Sequence, residues 1–230
     1  LKISVPTDIQ QKTIPLLLNK KEDVVALAKT GTGKTAAFGL PLLQLIDSKN
    51  TEVQALILAP TRELGQQIFS NLVSYATHNQ SISIASVCGG IPIKPQIERL
   101  QETTHIIVAT PGRLIDLIQR KAVSIKNLKY LVLDEADEMV TALKKDLDTL
   151  ALEMPKSRRT LLFTATMPAT DLAARGIDVK EISYVVNYHL PDTYEAYVHR
   201  SGRTARAGAK GLSLSIIQNE ELVDIPEFEK

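Results

Sequence analysis

Ala28-Lys29-Thr30-Gly31-Thr32-Gly33-Lys34-Thr35 is the stretch on which the reading of this chain turns. It follows a short apolar run, Asp23–Ala28, and opens a helical one, the strand–loop–helix setting that a phosphate-binding loop requires. Glycines at 31 and 33 let backbone N–H groups turn inward around a phosphate, and the following helix adds the positive end of its dipole. Lys34 would neutralise β- and γ-oxygens, and the Thr35 hydroxyl would ligate Mg²⁺. Taken alone, these residues could be a flexible turn; the Gly-Lys-Thr triplet after a buried strand argues for the phosphate site.

Working outward, short apolar runs recur at Ala55–Ala59, Ser83–Val87, His105–Ala109, Tyr130–Leu133 and Thr160–Thr164. Most are apolar throughout, as in strands buried on both faces. Helical patterns separate them: Leu64, Ile68, Leu72 and Tyr75, then Leu114, Leu117 and Ile118, recur at spacings of three and four. The class is therefore α/β, a parallel sheet flanked by helices. Several strands end in punctuation (Pro60, Gly89-Gly90, Pro111-Gly112, Asp134), so the polar and glycine-rich residues collect at one sheet edge, where ligands of open α/β sheets bind.

After about Ala169 the texture changes. Tyr184–Tyr188 and Leu212–Ile217 read as strands and Thr193–Val198 as a short helix. Between Ala196 and Asn219 there is no acidic residue, yet Arg200, Arg203, Arg206 and Lys210 are present. Two strands and one helix cannot bury a sheet on both faces, so this region is incomplete as a domain of its own.

Composition bounds the function. The 230 residues are 44% hydrophobic and 23% charged, an ordinary globular balance. No apolar run is long enough to span a bilayer, which predicts no membrane partner. Cys88 is the single cysteine, so neither an intrachain disulfide nor a tetrathiolate zinc site can form, which favours a reducing, cytoplasmic setting. Net charge is +1, so any nucleic-acid binding must come from local placement of charge.

Leu131-Val132-Leu133 runs into Asp134-Glu135-Ala136-Asp137. A carboxylate at the end of a buried strand, Asp134, can hold Mg²⁺, and Glu135 can orient or deprotonate an attacking water. By itself an acidic cluster after a strand is more often a helix N-terminal charge pair. Beside Lys34 and Thr35 in a parallel sheet it reads as the second half of a nucleotide site.

These residues resemble the DEAD-box ATP-dependent RNA helicases. Asp134-Glu135-Ala136-Asp137 is that family's literal signature, and Ala28–Thr35 matches its phosphate loop, Ala28 included. Other matches follow in the family's order. Pro6-Thr7-Asp8-Ile9-Gln10 is similar to the adenine-reading Q motif, Pro60-Thr61-Arg62-Glu63-Leu64 to motif Ia, Gly89-Gly90 to the GG element, and Thr110-Pro111-Gly112-Arg113 to motif Ib. Thr164-Ala165-Thr166 stands where the family usually has Ser-Ala-Thr. Ala174-Arg175-Gly176-Ile177-Asp178 resembles motif V, and His199-Arg200-Ser201-Gly202-Arg203-Thr204-Ala205-Arg206 resembles motif VI.

The resemblance implies a RecA-like fold with ATP and Mg²⁺ held by Gln10, Ala28 to Thr35, Asp134 and Asp178. It implies Glu135, Lys34 and Asp134 as the hydrolytic centre, with Arg203 and Arg206 as arginine fingers. Asp137, Thr164, Thr166, His199 and Arg200 would couple two lobes. Pro60, Thr61, Arg62, Gly89, Gly90, Thr110, Pro111, Gly112, Arg113, Thr170 and Arg175 would meet RNA through sequence-independent backbone contacts. Residues 1–168 would form the first lobe, and 169–230 the C-terminal part of a second. One departure is large: Thr166-Met167-Pro168 runs straight into Ala169-Thr170-Asp171, where family members carry most of the second lobe. The implied activity is RNA-stimulated ATP hydrolysis coupled to unwinding or RNP remodelling. The alternative is an ATP-gated RNA clamp or an ATP-binding fragment.

Overall fold

The computed structural model describes residues 5–165, 184–187 and 212–215. Among the described residues eight strands, all paired in parallel, form one sheet: β1 (Val24–Leu27), β2 (Ala55–Leu58), β3 (Ile84–Val87), β4 (Ile106–Ala109), β5 (Tyr130–Asp134), β6 (Arg159–Thr164), β7 (Tyr184–Asn187) and β8 (Leu212–Ser215). Their spatial order is β3-β4-β2-β5-β6-β1-β7-β8. The helices are α1 (Asp8–Asn19), α2 (Lys34–Leu45), α3 (Arg62–Tyr75), α4 (Ile93–Gln101), α5 (Pro111–Gln119), α6 (Ala136–Ala142) and α7 (Lys144–Glu153).

Strand side chains alternate between two cores, because successive residues point to opposite faces. Val24, Ala26, Ile57, Val108, Val132 and Phe163 meet Ile9 and Leu17 of α1, Phe38 and Leu42 of α2, and Ile68 and Leu72 of α3. Their neighbours Val25, Leu27, Leu56, Ile107, Leu131 and Leu162 meet Leu114 and Leu117 of α5, Met139 of α6 and Leu147 of α7. With both faces covered, every residue of β1, β2, β4 and β6 is buried, which is why the runs of β1, β2 and β4 are apolar throughout and the polar ends of β6 are buried too. An edge-to-face contact of Phe38 with Phe163, centroids 5.1 Å apart, locks the helix after the glycine-rich loop onto β6.

The strands fall where the apolar runs predict them, within a residue at most ends. The C-terminal pair shows how it is accommodated: β7 lies along β1 with Val24 opposite Tyr184 and Leu27 opposite Asn187, and β8 adds outside β7. Val185 and Val186 enter the two opposite cores and are fully buried. Without β7, β1 would be a sheet edge of unpaired N–H and C=O groups, and two strands without a cover have too little apolar area of their own. The expected helix over Thr193–Val198 lies outside the described residues.

Candidate nucleotide and RNA-binding edge

All strands run the same way, so their C-terminal ends share one edge, and the loops leaving it divide by strand order. Loops after β1, β5 and β6 form one half; loops after β2, β4 and β3 form the other.

In the first half, Gly31 (φ +81°) and Gly33 (φ +93°) both take the left-handed conformation, and Gly33 caps the N-terminus of α2. An L side chain strains there. At Gly33 a Cβ would also run into the Gln10 amide. Lys34 opens α2 and is only 6% exposed, with its Nζ 3.5 Å from Oδ1 of Asp134. That is an ion contact; the ammonium makes no hydrogen bond. Buried donors without acceptors are rare, and a phosphate oxygen would satisfy them. Asp134 ends β5, accepts the Glu135 N–H at 3.1 Å, and has its carboxyl pushed above the usual range by burial, against the pull of Lys34.

Among the described residues, Glu135 is one of two non-glycine residues with positive φ, at +53°, and it caps α6. Its carboxyl is raised by burial first and by the Asp134 charge second. A strained backbone at a half-buried acid is a feature of functional sites. Behind it, the Asp137 N–H donates to the Thr164 hydroxyl at 3.3 Å, so the end of β6 is tied to the start of α6. Orphaned ammonium, glycine cradle, strand-end carboxylate and the half-buried Thr35 hydroxyl together fit a magnesium–triphosphate group.

α1 closes this half. Gln10 Nε2 donates to the Gly33 carbonyl at 3.2 Å, Gln10 Oε1 accepts the Thr7 N–H at 3.0 Å, and the Thr7 hydroxyl donates to the Thr32 carbonyl at 2.9 Å. Gln10 stands out in the sequence through its motif, and the part Thr7 plays is signalled there by the Thr7…Gln10 capping-box spacing. Arg159 was missed altogether. Buried at the start of β6, it donates to the carbonyls of Leu16 (3.3 Å), Leu17 (2.7 Å) and Glu22 (2.6 Å), and so holds the C-terminal end of α1.

In the second half, Thr61 follows Pro60 and caps α3 by accepting the Leu64 N–H, while Thr110 precedes Pro111 and Gly112 at the start of α5. The Thr110 hydroxyl accepts the Gly89 N–H at 3.1 Å. Arg62 Nη1 donates to the Gly90 carbonyl (3.3 Å), and Arg113 Nη1 to the Ile91 carbonyl (3.0 Å) and Gln96 Oε1 (3.1 Å). The structure thus brings motifs Ia, GG and Ib onto one turn. Gln96, whose Nε2 donates to the Cys88 carbonyl at 2.9 Å, was not anticipated. Thr166, Thr170, Arg175, Asp178, His199, Arg200, Arg203 and Arg206 lie outside the described residues.

No helix among the described residues is long and apolar enough to cross a membrane. Residues 7–174 match the DEAD/DEAH box helicase family, and 162–208 the helicase conserved C-terminal domain. The chain is 33% identical to the ATP-dependent RNA helicase CshA of Listeria monocytogenes, covering 94% of this chain and 62% of that protein. It is 32% identical to a probable ATP-dependent RNA helicase of Methanocaldococcus jannaschii, over 98% of this chain and 89% of that one. The Listeria alignment extends over 328 positions against 230 residues here, so stretches of that relative have no counterpart in this chain. Among solved structures, a DEAD box protein from Methanococcus jannaschii superposes with a TM-score of 0.66 at 32% identity, over 97% of this chain and 90% of that one. A hypothetical ATP-dependent RNA helicase from Sulfolobus tokodaii gives 0.66 at 25% identity, over 98% and 96%. With a RecA-like sheet, a phosphate loop facing Asp134-Glu135-Ala136-Asp137 and a family match over most of its length, this chain belongs to the DEAD/DEAH box helicases.

Proposed function

We propose that the chain derives from an ATP-dependent RNA helicase in which RNA-stimulated hydrolysis of ATP drives local unwinding of RNA or remodelling of RNA–protein complexes. The observation that carries this reading is the buried Lys34–Asp134 contact, with unused ammonium donors, on the same sheet edge as the arginine-braced Gly89-Gly90 turn. Residues 1–168 are assigned to the first lobe and 169–230 to the C-terminal part of the second. The setting is cytoplasmic.

Each described residue has a role its position supports, while Thr166, Thr170, Arg175, Asp178, His199, Arg200, Arg203 and Arg206 take theirs from the family resemblance. Lys34 meets the β- and γ-phosphates, and N–H groups of Ala28 to Thr35 line the cradle. Thr35 and Asp134 would hold Mg²⁺, which neutralises phosphate charge. Glu135, with its carboxyl already raised, orients and deprotonates the attacking water. An amide carries two N–H donors and two oxygen lone pairs. Gln10 uses one of each on Gly33 and Thr7, leaving one of each for the edge of adenine. Asp178 reaches the ribose, and Arg203 and Arg206 stabilise charge on the γ-phosphate. Thr164, Thr166, Asp137, His199 and Arg200 couple the two lobes, while Thr61, Arg62, Gly90, Thr110, Arg113, Thr170 and Arg175 meet the RNA backbone.

ATP turnover with and without single-stranded RNA, followed by strand separation on matched RNA and DNA duplexes, tests the reading. RNA-dependent turnover with RNA-selective unwinding is expected. Equal action on DNA would overturn it.

A further inference from the structure

Three carbonyl oxygens close together in the turn after β3, those of Cys88, Gly90 and Ile91, are each capped by a side-chain donor from a different helix. Arg62 of α3 takes Gly90, Arg113 of α5 takes Ile91, and Gln96 of α4 takes Cys88. Gln96 also accepts from the same Arg113 Nη1 that holds Ile91. Its side chain is thus used at both ends and is 6% exposed, buried like Cys88, whereas Arg62 and Gly90 are exposed and Arg113 half-buried. A glycine at 90 is needed for this arrangement: φ is +76°, and a Cβ would come within 2.8 Å of Arg62 Nη1.

A polyanion approaching this turn would be repelled by outward carbonyl lone pairs and attracted by guanidinium charge. Capping all three oxygens removes the repulsion and plants two cations at the turn. We propose that Gln96, which no recognised motif contains, is the positioning residue of the RNA-binding edge. It orients the Arg113 guanidinium and turns the Cys88 carbonyl inward, so that the Cys88–Ile91 turn accepts a ribose-phosphate backbone. The inference rests on the reading of this edge as the RNA site. It adds that the two arginines act first as braces for the turn, with a buried amide as their keystone.

The test uses the whole chain with Gln96→Met, which keeps side-chain length and removes both hydrogen bonds, and Gln96→Glu, which keeps the acceptor for Arg113 and loses the donor to Cys88. Fluorescence anisotropy with a labelled oligouridylate reads RNA affinity, and a fluorescent ATP analogue reads the nucleotide half. Losing one buried and one partly buried hydrogen bond at the turn should weaken RNA binding about tenfold or more, with ATP affinity changed less than about twofold. Amide exchange should rise at Gly90 and Ile91 in both variants and stay unchanged at Gly31 and Gly33. If Gln96→Met does not fold, the split between RNA and ATP affinity in Gln96→Glu decides. RNA affinity unchanged in a folded variant overturns the proposal, as does a parallel fall in RNA and ATP affinity, which would make Gln96 a general structural residue. A wild-type chain that binds no oligouridylate fails at an earlier point, overturning the RNA reading together with this one.

Discussion

The two halves of the edge, one proposed for nucleotide and one for RNA, are built by opposite means. The nucleotide half, on β5, β6 and β1, centres on a buried charge pair, Lys34 and Asp134, at 6% and 3% side-chain exposure. The RNA half, on β2, β4 and β3, keeps Arg62 exposed and Arg113 half-buried and sets them on backbone carbonyls. Burial makes electrostatics strong and costly, which suits a site that must distinguish a reacting phosphate from water. Exposure makes them weak, numerous and salt-sensitive, which suits a backbone bound without regard to sequence. The strand order places the halves side by side, with the boundary between β2 and β5, so motion in one can reach the other through two paired strands.

Lys34→Ala should break the nucleotide half outright. ATP binding should weaken and hydrolysis fall to background, because the buried cation facing the cradle is gone. The fold should survive with reduced stability, since stripping one partner from a buried pair costs up to about 3–5 kcal/mol, less what Asp134 recovers by taking a proton. RNA affinity measured without nucleotide should hardly move. Unchanged ATP turnover in the purified variant would end the phosphate-loop assignment.

Glu135 sharpens the contrast. Glu135→Gln preserves shape and removes the base, so hydrolysis should collapse while ATP-dependent RNA binding persists or tightens. Arg206→Ala should do the reverse to closure, leaving ATP unable to strengthen RNA binding; turnover should fall on the order of 10³-fold for a lost arginine finger. If both variants lose ATP-dependent tightening, Glu135 is a structural carboxylate. Glu135→Gly asks a different question, since glycine adopts φ +53° freely. It should melt at a higher temperature by the equivalent of about 1 kcal/mol while losing hydrolysis. A lower melting temperature would show that the Glu135 side chain contributes more to packing than its backbone costs.

In the RNA half, Gly90→Ala should cost about 1–2 kcal/mol in backbone strain at φ +76°, and should weaken RNA binding by displacing Arg62 while leaving ATP affinity alone. Equal losses of ATP and RNA affinity would argue that the halves are one rigid unit.

How much of this was legible follows from how far each signal travels along the chain. Buried parallel strands announce themselves locally, and so did the glycine cradle and the Asp134–Asp137 tetrad. Gln96 and Arg159 carried no such mark. A glutamine in a short amphipathic helix looks like any solvated glutamine until its partners, at Cys88 and Arg113, are known. Arg159 reaches carbonyls at Leu16, Leu17 and Glu22, which no local pattern can reveal. The docking of β7 on β1 was hidden for the same reason. Tyr184–Asn187 reads as a strand anywhere, and only the exposed hydrogen-bonding edge of β1 gives it an address.

The smallest effect expected is also the one that separates the halves most cleanly, because their titrating groups respond to acid with opposite sign. His105, at the foot of β4, is 2% exposed; its Nδ1 accepts the Ser83 N–H at 2.8 Å. The ring is therefore neutral with its proton on Nε2, and burial holds its pKa below the ordinary histidine value, against Asp47 and the backbone of Ser48 and Asn50, which favour the charged form. A group whose folded pKa is depressed binds more protons unfolded. Its stabilisation is present above the unfolded value of about 6.5 and is lost as pH falls through the folded one. Asp134 and Glu135 run the other way. Burial raises both, so the folded state holds more protons than the unfolded one, and the penalty for their charge is relieved as pH drops toward the carboxylate range. Acidification from neutral should therefore loosen the pairing of β3 with β4 while leaving β5 and β1 as firm as before or firmer. Amide exchange, corrected for its intrinsic pH dependence, should show protection falling at Ile84–Val87 and Ile106–Ala109 before it falls at Val24–Leu27. His105→Gln, which can keep an acceptor for the Ser83 N–H and cannot titrate, should abolish the difference. Uniform loss of protection across all the strands, unchanged by that substitution, would show that the sheet responds to acid as one unit.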